Sequence, residues 1–141
     1  MDKVYGAYAK VYIKYEGNLH EIGSHLEKCL EMQAFRFENR EDEPYDLLGY
    51  AEMLGFEVQL QFLKANNKWP RYEYLFEAIT TDSFDEIHRK QMHDISHWMA
   101  RYIALMCKVI TLAVNGDGET GQSFFFDKTT RTRGSNTEKC N

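Results

Sequence analysis

Cysteine is scarce in this chain, and the patterns that usually announce chemistry are missing from it. Cys29, Cys107 and Cys140 are an odd, widely spaced set, so they suggest no disulfide framework, and with no CxxC pair they suggest no structural zinc. No apolar run reaches the ~18 to 20 residues needed to span a bilayer. The opening MDKVYGAYAK is charged and then strand-like, unlike a signal peptide. P-loop, GxGxxG, GxSxG and HExxH motifs are all absent, and no cofactor is expected. Positive charge is also in deficit: 17 Lys and Arg against 22 Asp and Glu leave a formal net charge of -5. Phosphate backbones require clustered cations, so direct nucleic-acid binding is not expected, nor is a membrane partner. A cytoplasmic protein is the plain expectation.

What is present is enough for a core. At 141 residues, with 43% hydrophobic and 14% aromatic residues, the chain reads as one domain over 1–127 followed by a polar tail over 128–141. Tyr5, Ala7, Ala9, Val11, Ile13 and Tyr15 alternate with Lys10 and Lys14, which predicts a strand. Leu19, Ile22, Leu26 and Leu30 recur at helical spacing behind Asn18, a suitable N-cap, so a helix is expected over about 19–31. AFRFEN suggests a short strand with Phe35 and Phe37 inward. EPYDLLGYAEMLGF, with Pro44 at a first helical position and Gly55 past the end, predicts a second helix burying Leu47, Leu48, Ala51 and Leu54. EVQLQFLK and RYEYLFEAIT alternate around a turn-forming ANNKWP and make the best hairpin in the sequence. VITLAVN and SFFFD suggest two more strands separated by a GDGETGQ loop. The fold class expected is α+β, a mostly antiparallel sheet with about three helices packed on a face or rim.

The stretch MHDISHWMARYIALM holds His93 and His97 four apart, a spacing that puts two imidazoles on one helical face in many zinc sites. The apolar stripe is clean only from Ile95 onward, through Trp98, Met99, Tyr102 and Met106, and Asp94 is a good N-cap. A helix starting at Asp94 leaves His93 outside and His97 in the first turn, and the shared face disappears. His88 falls beside Arg89 and Lys90, which disfavour a cation. His20 and His25, five apart on a helix, are offset by about 140°. No metal and no catalytic residue is therefore expected, and Cys29 and Cys107 on apolar helical faces read as inert thiols.

Charge is the uneven feature. ENREDEPYDLLGYAEMLGFE, residues 38–57, carries seven acids against one base, Arg40. Such a run is either a solvated loop favouring a helix N-terminus or a face that steers and docks a basic partner. Tyr45 and Tyr50, interleaved with the acids, would supply aromatic anchors.

PYDLLGYAEMLGFEVQLQF, then YEYLFEAITTDS, then DISHWMARYIA, spanning roughly residues 45–105, resembles small bacterial immunity proteins encoded beside polymorphic toxins, including those of contact-dependent growth inhibition systems. The resemblance implies a non-catalytic protein that binds a cognate toxin domain, often a cationic nuclease, and blocks it. On that reading Glu41, Asp42, Glu43 and Asp46 stand in for phosphates, with Tyr45 packed among them. Two rivals from other classes are a structural or regulatory homodimer and a metal enzyme using His88, His93 and His97.

Overall fold

A computed structural model describes residues 6–39, 47–63, 68–80, 92–127 and 132–140. Its first strand, β1 (Ala7–Lys14), buries Ala9, Val11 and Ile13 on one face, as the alternation demands. Helix α1 (Leu19–Leu30) follows, with Asn18 as its N-cap. The Asn18 side chain accepts from the Glu21 N–H at 2.9 Å while the Glu21 carboxylate accepts from the Asn18 N–H at 3.0 Å, a reciprocal capping box. Ile22, Leu26 and Leu30 form its buried stripe.

Five strands and one helix follow: β2 (Arg36–Asn39), β3 (Leu47–Met53), β4 (Phe56–Phe62), β5 (Tyr74–Thr80), the two-residue β6 (His93–Asp94) and α2 (Ser96–Cys107). The chain then runs through β7 (Ile110–Val114), β8 (Thr120–Asp127) and β9 (Thr132–Lys139). All nine strands of the described residues belong to one sheet, in the order β2-β3-β4-β5-β1-β7-β8-β9, with β6 beside β1. Every pairing is antiparallel except β1 with β6. The α+β class with a mostly antiparallel sheet holds, and the hairpin expected from EVQLQFLK and RYEYLFEAIT is β4 with β5.

Both helices pack on one face of the sheet, where Val11, Ile13, Val58, Leu60, Phe76 and Ala113 meet Ile22, Leu26, Met99 and Ile103 in a single core. Three polar links fix α2 there. The Lys10 N–H donates to Ser96 Oγ at 2.9 Å, the buried Thr111 hydroxyl donates to the Ala100 carbonyl at 2.7 Å, and His25 Nε2 donates to the Cys107 carbonyl at 2.7 Å. Such bonds matter more for what their loss would strand in the core than for their net worth. On the opposite face, the segment before β5 lays Trp69 and Tyr72 over Leu112, covering the β1–β7 part of the sheet.

Three expectations need correction. The described residues contain two helices rather than about three, because the segment expected as the second helix is β3. Its apolar residues satisfy both periods over so short a run, and two details select the strand. A Cβ at Gly49 would lie within 3.1 to 3.2 Å of Phe37 and Phe35, so the position suits a glycine pressed against aromatic neighbours. Leu54 (φ 49°) and Gly55 (φ 83°) form the two-residue loop of a β3–β4 hairpin, so Gly55 serves a primed turn rather than a helix C-terminus.

The polar segment expected as a solvated tail contains β9, hydrogen-bonded to β8 along its full length from Thr120↔Lys139 to Asp127↔Thr132. The GDGETGQ loop is correspondingly shorter, since β8 begins at Thr120. Finally, α2 starts at Ser96 with Ile95 at the cap position, not at Asp94. Asp94 still contributes from one residue further out, its carboxylate accepting from the Ser96 N–H at 2.9 Å and from the Ser96 hydroxyl.

Candidate functional site

The strand registers define the surface opposite the helices. Because Ala9, Ala78, Val58 and Ala51 lie in adjoining positions on the core side, their sequence neighbours form rows on the other side. One row runs Tyr8, Ile79, Glu57, Glu52 across β1, β5, β4 and β3. The next runs Lys10, Glu77, Gln59, Tyr50, Arg36 and reaches β2. A third runs Tyr12, Leu75, Gln61, Leu48, Glu38. Four glutamates thus share this lattice with two cations.

Glu38, Glu52 and Glu57 are exposed, while Tyr8, Tyr50, Gln59 and Glu77 are half-buried. A hollow of about 140 Å³ is lined by Tyr8, Tyr50, Glu57, Gln59, Glu77 and Ile79 among others. Burial, with a smaller contribution from Glu77, pushes the ionisation of the nearby Tyr12 hydroxyl up, which keeps it a neutral donor. Chemically, the surface offers carboxylates, an amide and phenols, a set able to hold guanidinium or ammonium groups against aromatic walls.

The acidic run of the sequence reaches this surface in part. Its members Glu38, Tyr50, Glu52 and Glu57 stand on it, whereas Glu41, Asp42, Glu43, Tyr45 and Asp46, in the connection from β2 to β3, lie outside the described residues. Glu77 and Tyr8 come from distant sequence. Alternation in RYEYLFEAIT and in the first strand already opposes them to the core, but only the order β3-β4-β5-β1 brings them beside Glu57.

The histidines are dispersed. His93 is exposed in β6, where its backbone N–H donates to the Gly6 carbonyl at 2.8 Å. His97, in the first turn of α2, uses Nε2 to donate to Asn115 Oδ1 at 2.9 Å and stands edge-on to Phe124. His88 lies outside the described residues. Among the described residues, no group of three His, Cys, Asp or Glu side chains is placed to hold a metal ion. Cys107 is buried, and desolvation, reinforced by the neighbouring Cys29 thiol, raises its ionisation and disfavours a nucleophilic thiolate. No helix of the described residues is long and apolar enough to cross a membrane. No family model, curated protein or solved structure matches this chain.

Proposed function

We propose that this protein is a non-catalytic immunity protein, which binds and neutralises a cognate toxin domain of a polymorphic-toxin or contact-dependent growth inhibition system. The partner is a cationic domain, a nuclease being the class whose substrate groove best fits an acidic, tyrosine-edged surface. The observation that carries the reading is the sheet surface opposite the two described helices, on which Glu38, Glu52, Glu57 and Glu77 stand with Tyr8 and Tyr50. A nuclease groove is shaped to bind phosphates, and carboxylates on a rigid sheet would occupy it without supplying a scissile bond. Opposite charge on the two partners would also speed encounter and weaken it with salt. The resemblance of residues 45–105 to immunity proteins points the same way.

The test is co-expression with the product of the neighbouring upstream gene, followed by tagged recovery at low and high salt. The expected result is a one-to-one complex that weakens with salt and silences the toxic domain. Charge reversal of Glu52 and Glu57 is compared with alanine at Glu41, Asp42, Glu43 and Asp46. Loss of a close, desolvated ion pair costs about 2 to 5 kcal/mol of binding. Unchanged affinity in the first variant would remove the sheet surface from the interface, and unchanged affinity in both would remove the acidic mode altogether. Absence of any complex would defeat the immunity reading.

A further inference from the structure

The helix-covered side of the sheet carries charge of the opposite sign at its far end. One flank of α2 runs along β8, where the Arg101 guanidinium lies 5.2 Å from the Phe124 ring centroid. Just past the helix, the Lys108 ammonium lies 4.2 Å from the Phe126 ring. The β8–β9 register places Ser135 opposite Phe124 and Arg133 opposite Phe126. Three cations therefore surround two phenylalanines. Beside this cluster, between α2 and β9, lies a groove of about 240 Å³ with Arg101 and Arg133 as its two cations, lined also by Ala104, Leu105, Phe124 and Ser135 among others.

Among the described residues no carboxylate lines that groove, and the sole salt bridge joins Arg71 to Glu138 elsewhere. Stacking a cation on a ring does not neutralise it; the edge N–H donors of the guanidinium remain free for an oxyanion. Uncompensated convergence of this kind is unexpected in a chain whose acids outnumber its bases. Two arginine forks match the paired oxygens of a phosphate. Half-buried Leu105 gives the groove an apolar wall, which free phosphate would not use. The volume is below the ~300 to 1,000 Å³ of drug-sized sites, so the organic part must be small.

We propose that the α2–β9 groove binds a small phosphate monoester, the phosphate held by Arg101 and Arg133 with Ser135 as an additional donor, and the organic group against Leu105. The site is on the opposite side of the sheet from the acidic surface and uses none of its residues, so it stands or falls independently of toxin binding.

Phenyl phosphate, inorganic phosphate and benzoate are titrated into the full-length protein at constant ionic strength, with amide chemical shifts as readout. Saturable shifts with phenyl phosphate, centred on Arg101, Leu105, Arg133 and Ser135, are expected, with clearly weaker binding of the other two. Arg101→Gln and Arg133→Gln should each weaken phenyl phosphate about tenfold, the scale of one charge-assisted hydrogen bond. Lys10→Gln on the other sheet surface should leave binding unchanged, and thermal midpoints report that each variant is folded. Equal binding of inorganic phosphate would overturn the monoester assignment in favour of free phosphate. Shifts that never saturate, or binding indifferent to both arginine substitutions, would overturn the site.

Discussion

Glu52 and Glu57 are directly opposed across the β3–β4 hairpin, one pair in from the Leu54–Gly55 turn, and both are exposed. In a two-residue hairpin the pair closing the loop, here Met53 and Phe56, is hydrogen-bonded, so the next pair is the non-hydrogen-bonded kind. Its Cα atoms sit only about 4.5 Å apart, with the side chains close. Like charges in that position are unfavourable, and the hairpin accepts the repulsion.

Replacing Glu57 by Lys converts the repulsion into an attraction with Glu52. The folded state should gain about 0.5 to 1 kcal/mol at low salt, read as a higher urea midpoint with unchanged slope, and the gain should shrink as salt is added. If the surface docks a cationic toxin, the same variant should bind it less tightly, so stability and binding move in opposite directions. A fall in urea midpoint would show that the pair is held apart by other groups.

The turn itself is a second point of strain. Leu54 is 88% exposed and contributes nothing to the core, yet it adopts a left-handed conformation that costs an ordinary L-residue about 1 to 2 kcal/mol. Leu54→Asn should therefore stabilise the protein by roughly 1 kcal/mol, whereas Gly55→Ala should destabilise it by a similar amount. Urea unfolding of the two variants side by side gives the comparison; equal effects of the same sign would contradict the turn.

Much of the fold was legible where a local device and a periodic pattern coincide. Asn18 and Glu21 announce the start of α1, and the alternation of Val58, Leu60 and Tyr74, Phe76, Ala78 announces β4 and β5. The β3 segment misleads because Leu48, Ala51 and Leu54 fit a helix as readily as Gly49, Ala51 and Met53 fit a strand, and the deciding neighbours, Phe35 and Phe37, act through the tertiary fold. β9 has no apolar pattern to read, since its side chains stay largely in solvent and the strand is held by the ladder to β8 and by Glu138. The acidic half of the candidate site shows in composition, but its assembly with Glu77 and Tyr8 depends on strand order, which no short window encodes.

Glu138 is also the basis of an alkaline prediction. The buried Tyr72 hydroxyl donates to its carboxylate, which Arg71 contacts as well, and this ties the segment before β5 to β9. Burial is the main cause, with this bond adding to it, of a Tyr72 ionisation raised well above the ordinary value; burial likewise raises Tyr12, Tyr74 and Cys107. Groups raised in the folded state contribute stability that is fully present below their unfolded values, about 8.5 for cysteine and 10 for tyrosine, and lost as pH climbs toward the folded ones. The thermal midpoint should be level from pH 7 to about 8.5, then fall, more steeply above 10. Tyr72→Phe should cost about 1 to 3 kcal/mol at neutral pH by leaving Glu138 without its phenol donor, and should flatten the decline above pH 10. A decline no shallower than wild type would mean that Tyr72 is not a group driving it.

Among the described strands, the earliest in the sequence lies in the middle of the sheet. β1 pairs with β5 on one side and β7 on the other, partners that arrive some sixty and a hundred residues later. Its buried edge can therefore be satisfied only when the chain has been made to about residue 114, by which time β3, β4 and β5 are already available to associate among themselves. Such long-range closure makes folding slow and leaves an apolar, edge-exposed nascent chain that neighbouring copies could pair with. Production of this protein should thus depend on synthesis rate and temperature more than its stability once folded would suggest, and a circular permutant that starts at β7 would bring β1 into being beside a partner already made.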